Sequence, residues 1–141
     1  MIYIRPIKII DNLNQYMECV EDLNNPNISI CNYEQMKRCL LGRPNNIITY
    51  VITIDNNIVA TATVIFERKI RYNNLCAHIE DVGVHKDHRG KGYGKMIIDH
   101  CLTIAKSKGC YKAKLFCSDK LIDFYSRIGF KKSLNGMEIN L

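Results

Sequence analysis

Several features are missing from this sequence, and each absence narrows the reading. No apolar run approaches the ~20 residues that a membrane-spanning helix needs. The chain does not open on a basic stretch followed by an apolar one. Met1-Ile2-Tyr3-Ile4-Arg5-Pro6 reads as a short strand, so no secretory signal is expected and a cytoplasmic protein is. Internal repeats and linkers are absent. A length of 141 residues leaves no room for two full cores, so residues 1–141 are expected to form a single domain. None of the seven cysteines stands in a CxxC pair. Their odd number, and their placement in apolar periodic segments, argue for reduced thiols packed as small hydrophobes rather than a disulfide framework. The GxxxxGK[ST] phosphate loop is also absent.

What is present is ordinary in bulk and informative in pattern. An apolar fraction of 47% with 24% charged residues excludes a disordered or fibrous chain. The formal net charge of +6 suits an anionic small molecule or nucleic acid without choosing between them. Leu13, Tyr16, Met17 and Val20 are spaced for an amphipathic helix over 11–23, broken by Asn24-Asn25-Pro26. Tyr33 to Leu41 reads as a second helix, ended by Gly42 and Pro44. Two β-rich runs, 47–54 and 58–66, flank Asp55-Asn56-Asn57, where Asn tolerates the positive φ of a tight hairpin. A polar loop near Arg71 to Asn74 leads to a strand over Cys76–Val84. Then come a helix ended by Gly109, a strand over Tyr111–Cys117, a helix over Asp119–Arg127, and a final strand or hairpin from Gly129 to Leu141. The order β-α-α-β-β-β-α-β-α-β is an α+β class with a mixed, mostly antiparallel sheet flanked by helices on both faces.

The chemistry concentrates in Arg89-Gly90-Lys91-Gly92-Tyr93-Gly94-Lys95, between a strand and a helix. Its glycines let a backbone approach a ligand without a Cβ in the way. The unpaired N–H groups of the first helical turn favour an anion there, and Arg89, Lys91 and Lys95 add charge. A pyrophosphate is the natural guest, and a plain turn with solvated lysines is the alternative. His85-x-x-His88 lacks a third ligand at a sensible spacing, so no metal is expected. Cys117 falls in the predicted apolar strand, which favours an inert thiol over an acyl carrier.

Arg89-x-x-Gly92-x-Gly94 after a strand and opening a helix resembles the acyl-CoA loop of the GCN5-related N-acetyltransferases (GNAT). Within that superfamily, Glu67-Arg68-Lys69-Ile70, Cys76-Ala77-His78-Ile79-Glu80-Asp81-Val82 and Phe124-Tyr125 resemble the glucosamine-6-phosphate N-acetyltransferases. The resemblance implies the GNAT fold and acetyl-CoA as co-substrate. It implies direct transfer to the amine of glucosamine 6-phosphate, with a product that feeds UDP-N-acetylglucosamine synthesis. It assigns Val82, Gly83 and Val84 to a strand that splays from its neighbour and lies along the thioester. It assigns the loop from Arg89 to Lys95 to the cofactor, and Tyr125 to protonation of the leaving sulfur. Glu80 and Asp81 would meet the amine and sugar hydroxyls. Lys69, Ile70, Arg71 and Asn24 would contact the acceptor. It also implies a homodimer in which the segment from Gly136 to Leu141 packs against the partner.

The match breaks at three positions. Phe116 stands where the family has an acidic residue, Ser118 where another acid is frequent, and Leu121 where an asparagine contacts the cofactor. These departures leave room for the same chemistry on another amine, such as another amino sugar, a polyamine or a peptide, and for a CoA-binding module without catalysis. A nucleic-acid-binding domain ranks below these, because the basic residues gather at one loop. A membrane partner is not expected.

Overall fold

Asparagines set where the first helices begin. In the computed structural model, which describes residues 1–141, Asn12 accepts from Asn14 N and starts α1 (Leu13–Val20). Asn32 and Gln35 form a reciprocal capping box at the start of α2 (Tyr33–Gly42). That box is written in the sequence as Asn32-x-x-Gln35, a signal the periodicity reading passed over.

The sheet has five strands in the order β1 (Ile2–Pro6), β2 (Ile47–Ile54), β3 (Asn57–Lys69), β4 (Asn74–Val84), β5 (Lys112–Lys114). The first three pairings are antiparallel and β4–β5 is parallel. Asp55 and Asn56 take φ of 48° and 68°, so the β2–β3 hairpin turns where the asparagines predicted it. Alternation along the strands builds two faces. On one, Tyr50, Ile52, Ala60, Ala62 and Val64 pack under Ile97, Ile98 and Cys101 of α3 (Tyr93–Ser107) and Tyr125 of α4 (Ile122–Ile128). On the other, Val51 and Ile58 pack against Cys19 of α1. Each fully buried aliphatic side chain contributes about 1.5–3 kcal/mol. The expected α+β architecture, with helices on both faces of a mostly antiparallel sheet, is the one observed.

Three expectations are corrected. Residues 129–141 form no strand. No strand of the sheet pairs with them, and Leu134, Met137 and Ile139 are exposed. The strand expected over Tyr111–Cys117 is reduced to Lys112–Lys114, because the chain leaves β4 after three rungs. The cysteines divide: Cys19, Cys76 and Cys101 are buried, whereas Cys31, Cys39 and Cys117 are exposed.

A glycine holds α1 against β4. A Cβ built on Gly83 would lie 2.1 Å from the Cys19 carbonyl oxygen. The close approach at Gly83 is therefore to the end of α1. Gly83→Ala forces the helix off the strand. We expect it to destabilise the fold by about 3 kcal/mol in urea titration, the upper range for overpacking. A loss below about 0.5 kcal/mol would show that α1 shifts freely and that the contact is not a constraint.

Candidate active site

The site begins where a ladder stops. β4 and β5 pair only at Cys76↔Lys112, Ala77↔Ala113 and His78↔Lys114. Beyond those rungs the two chains part. Ile79 to Val84 and Leu115 to Ser118 become opposite walls of a cleft of about 1120 Å³. This is the splay that the resemblance implied for Val82-Gly83-Val84. The His85 N–H donates to Val59 O on β3 at 2.8 Å, and the Val84 carbonyl instead accepts from Arg89 Nε at 3.1 Å. By strand alternation the main-chain groups of Val84 and Val82 therefore face away from β3, toward the cleft.

A bulge marks the middle of that wall. Thr63 opposes Glu80 and Thr61 opposes Gly83, so two residues of β4 face the single Ala62. Asp81 absorbs the extra residue at φ 49°, a conformation that an aspartate tolerates at a cost of about 1 kcal/mol. Glu80 and Asp81 are both exposed, both line the cleft, and neither side chain has a protein hydrogen-bond partner. Both members of the pair therefore border the cleft.

The glycine loop closes one end of the cleft. Gly90 and Gly92 have φ of 75° and 87°, with open space where a Cβ would stand. Gly92 caps α3 with no side-chain hydrogen bond, and Met96 is the first residue to donate back to it. The N–H groups of Tyr93, Gly94 and Lys95 thus have no partner within the helix and point at the open loop. The loop is less cationic than its sequence suggests. Arg89 is paired with Asp22 at 2.7 Å and Lys95 with Asp99, which leaves Lys91 as the loop cation without an ion pair. The donor set for an anion is therefore mostly main chain, with one free charge. A diphosphate with its negative oxygens fits that set and the open space above Gly90 and Gly92.

Tyr125 is both a core aromatic and a cleft residue. It is 6% exposed and lies edge-on to Phe124 and Phe130, at 4.9 and 5.7 Å between centroids. It also lines the cleft, and its hydroxyl has no protein partner. Burial, followed by the neighbouring Cys117 thiol, raises it above the ordinary phenol range, so it stays protonated and able to donate. Phe116, Cys117, Ser118 and Leu121 line the same cleft, with Phe116 72% exposed. Cys117 is not the buried strand thiol expected from sequence. It lies past the end of β5, where no ladder holds it.

The remaining candidates lie elsewhere. His85 accepts from Asp87 N through Nδ1 and meets Glu18 Oε2 through Nε2 at 3.0 Å, so neither nitrogen is free for a metal. Lys69, Ile70 and Arg71 are not in this cleft. Lys69 pairs with Asn74 at the far end of the hairpin, about 20 Å along β4 from Glu80. The Lys69 Nζ bonds Glu67 at 2.9 Å, Arg71 lies over the Tyr72 ring, and Ile70 is exposed. Asn24 is exposed, just after Asp22 and Leu23, which touch the cleft.

This geometry agrees with what the chain is similar to. The model of the acetyltransferase (GNAT) family matches residues 12–130. Glucosamine 6-phosphate N-acetyltransferase 1 of Dictyostelium discoideum is 31% identical, across 97% of this chain and 89% of that protein. Glucosamine 6-phosphate N-acetyltransferase of Candida albicans is 32% identical, across 90% and 87%. The crystal structure of glucosamine-6-phosphate N-acetyltransferase from Arabidopsis thaliana superposes with a TM-score of 0.84 at 28% identity, covering 99% of this chain and 98% of that one. A strand that parts from its neighbour beside a glycine loop on a helix N-terminus is thus placed in a known line of descent, and the chain belongs to the GNAT acetyltransferase family.

Proposed function

We propose that this protein transfers the acetyl group of acetyl-CoA to the amine of glucosamine 6-phosphate, giving N-acetylglucosamine 6-phosphate. The observation that carries the reading is the cleft itself. One wall offers main-chain groups at Val82 and Val84, one end offers the unpaired N–H groups of α3, and Glu80 and Asp81 stand beside them. The names of the relatives supply the substrate. When bound, acetyl-CoA supplies an acetyl group already activated as a thioester.

The chain's own residues then divide the work. Gly90, Lys91, Gly92, Tyr93, Gly94 and Lys95 hold the diphosphate, mainly through main-chain N–H groups. Arg89 serves from behind: its bonds to Asp22 and Val84 O fix the loop against the rest of the cleft. Val82 and Val84 present main-chain donors to the developing negative charge on a carbonyl oxygen. Glu80 and Asp81 accept from the amine and hydroxyls of the sugar. Tyr125 gives its proton to the departing sulfur. Phe116 offers no base, so the amine proton leaves to water.

The distance of Lys69 and Arg71 from Glu80 fits the same reading in a dimer. Two cations at a hairpin tip suit a sugar phosphate, and from there they reach the acceptor end of a second copy rather than their own. The unpaired segment over 136–141, with Met137 and Ile139 exposed, is a surface such a partner would cover. Sedimentation of active enzyme at micromolar concentration should report a dimer. An active monomer would return these residues to a solvated hairpin.

The activity and the role of Tyr125 are read together by thiol release with acetyl-CoA. Glucosamine 6-phosphate should be turned over in preference to glucosamine, polyamines and peptides. Tyr125→Phe keeps the ring and removes one oxygen, so kcat should fall by about 10²–10⁴-fold with little change in KM for acetyl-CoA. A kcat within about twofold of the parent would leave Tyr125 as packing and water as the acid.

A further inference from the structure

Two arginines of the chain are half-buried, Arg5 and Arg43, and only one of them has a counter-ion. Arg5 forks onto the Asp11 carboxylate at 2.7 and 2.8 Å. Arg43, just after α2, has no carboxylate partner. Its Nη2 donates to Thr49 Oγ1 at 2.8 Å and only distantly, at 3.5 Å, to the Ile47 carbonyl. Its Nε is buried without an acceptor, at a cost of about 1–3 kcal/mol. Its Nη1 has no protein acceptor either but is not enclosed, so it meets solvent. The fold thus leaves this cation without a counter-charge and with one open donor.

The groups beside Arg43 have donors to spare as well. Thr49 and Thr63 are register partners on β2 and β3, 3% and 6% exposed, with hydroxyl oxygens 2.7 Å apart. An arginine can only donate, so Thr49 Oγ1 accepts from it. One hydroxyl proton closes the bond between the threonines, and the other has no acceptor, whichever of the two donates. Arg43 Nε, Arg43 Nη1 and a threonine hydroxyl therefore gather in one place with no negative charge among them. That place lies on the acceptor side of the cleft. Thr63 also pairs with Glu80, and register partners share a face. Thr49 and Glu80 thus stand about 10 Å apart, two strand spacings of about 4.8 Å. Tyr16 of α1 is close to both ends. Burial pushes its phenol up to about 12, the Asp81 charge raises it further, and the Arg43 charge opposes.

We propose that Arg43 binds the phosphate of the amino sugar through its open Nη1, and so separates glucosamine 6-phosphate from glucosamine. The inference rests on the reading that Glu80 and Asp81 receive the amine end of that sugar. The sugar carries its amine on one ring carbon and its phosphate on the exocyclic carbon across the ring. With the amine at Glu80, the phosphate can lie along the row of Thr63 and Thr49 toward Arg43. A phosphate supplies both the missing charge and oxygens for the unmatched donors. Arg43 belongs to the same copy as Glu80, so the contact needs no dimer. It leaves the outer side of the phosphate to the hairpin cations of a second copy.

The test is steady-state acetylation of glucosamine 6-phosphate and of glucosamine by the parent, Arg43→Met and Arg43→Lys, with thermal unfolding as the check on folding. Arg43→Met should raise KM for glucosamine 6-phosphate by about 10–100-fold, the worth of a hydrogen bond to a charged group, with KM for acetyl-CoA unchanged. Its kcat/KM for glucosamine should stay within about twofold of the parent, because that sugar has no phosphate contact to lose. Arg43→Lys keeps the charge without the planar fork and should give a smaller rise in the same KM. Calorimetry with N-acetylglucosamine 6-phosphate reads the contact without turnover, and Arg43→Met should weaken that binding by the same factor. An equal loss on both sugars would make Arg43 a purely structural partner of Thr49 and overturn the proposal, as would an unchanged preference for the phosphorylated sugar. Should Arg43→Met fail to fold, Arg43→Lys decides: a rise confined to the phosphorylated sugar supports the contact, and no rise overturns it. A parent protein that does not acetylate glucosamine 6-phosphate instead refutes the substrate reading, a different outcome from any of these.

Discussion

The rest of the site depends on the early end of the β4–β5 ladder. A parallel strand pair that stops after three rungs leaves main-chain N–H and C=O groups facing open space. Such groups must find water or a ligand, since leaving them unpaired costs as much as a lost hydrogen bond. The parting therefore creates the cleft and its binding chemistry at once. Every neighbouring feature serves to keep the strands apart or to use the gap. Phe116 and Leu121 wall it, and Tyr125 fills its floor while leaving a hydroxyl to it. The Asp81 bulge re-aims β4, and the absence of a side chain at Gly83 lets α1 clamp that strand from the other face. A clamp on one face and a gap along one edge make β4 rigid where a reacting group would lie beside it.

Charge is distributed less simply than a basic loop implies. A net charge of +6 invites the view that lysines and arginines bind the anion. In the folded chain Arg89 and Lys95 have carboxylate partners, and both pairs are exposed. Exposed pairs of this kind contribute little stability. Their effect here is geometric: Asp22 draws Arg89 across the mouth of the cleft, and Arg89 in turn secures the Val84 carbonyl. Anion recognition then falls to oriented peptide dipoles at the α3 N-terminus, which need no side-chain ordering. Such a site binds a diphosphate wherever the two positive-φ glycines leave the backbone bare.

Local rules were legible in the sequence and long-range ones were not. Asp55-Asn56 announced its hairpin because positive φ is a property of those residues themselves. The loop from Arg89 to Lys95 announced itself because glycines beside a helix start have few other uses. The end of β5 was invisible, since Leu115-Phe116-Cys117 is as apolar as a strand that remains paired. The burial of Cys117 was misjudged for the same reason. The segment over 129–141 alternates like a strand but lacks a partner within its own chain, and periodicity does not reveal whether a partner exists. The need for glycine at 83 comes from the Cys19 carbonyl of a helix distant in sequence, which no local pattern around Gly83 reveals. Family resemblance carried Lys69 and Arg71 into the acceptor site, and only the register of β3 on β4 shows how far from this copy's cleft they sit.

The account rests on the cleft being the acetyl-CoA site, held by main chain at the loop. Thermal shift of the parent and of Gly92→Val, each with and without saturating acetyl-CoA, tests this most directly. Gly92 sits at φ 87°, where a β-branched side chain is strained and would stand in the space left for the diphosphate. A ligand at about a hundred times its Kd stabilises by about 2.7 kcal/mol, a rise of several degrees in Tm for a chain of this size. The parent should show that rise and the folded variant should show almost none. Equal stabilisation of both proteins by acetyl-CoA would contradict the account and place the cofactor elsewhere.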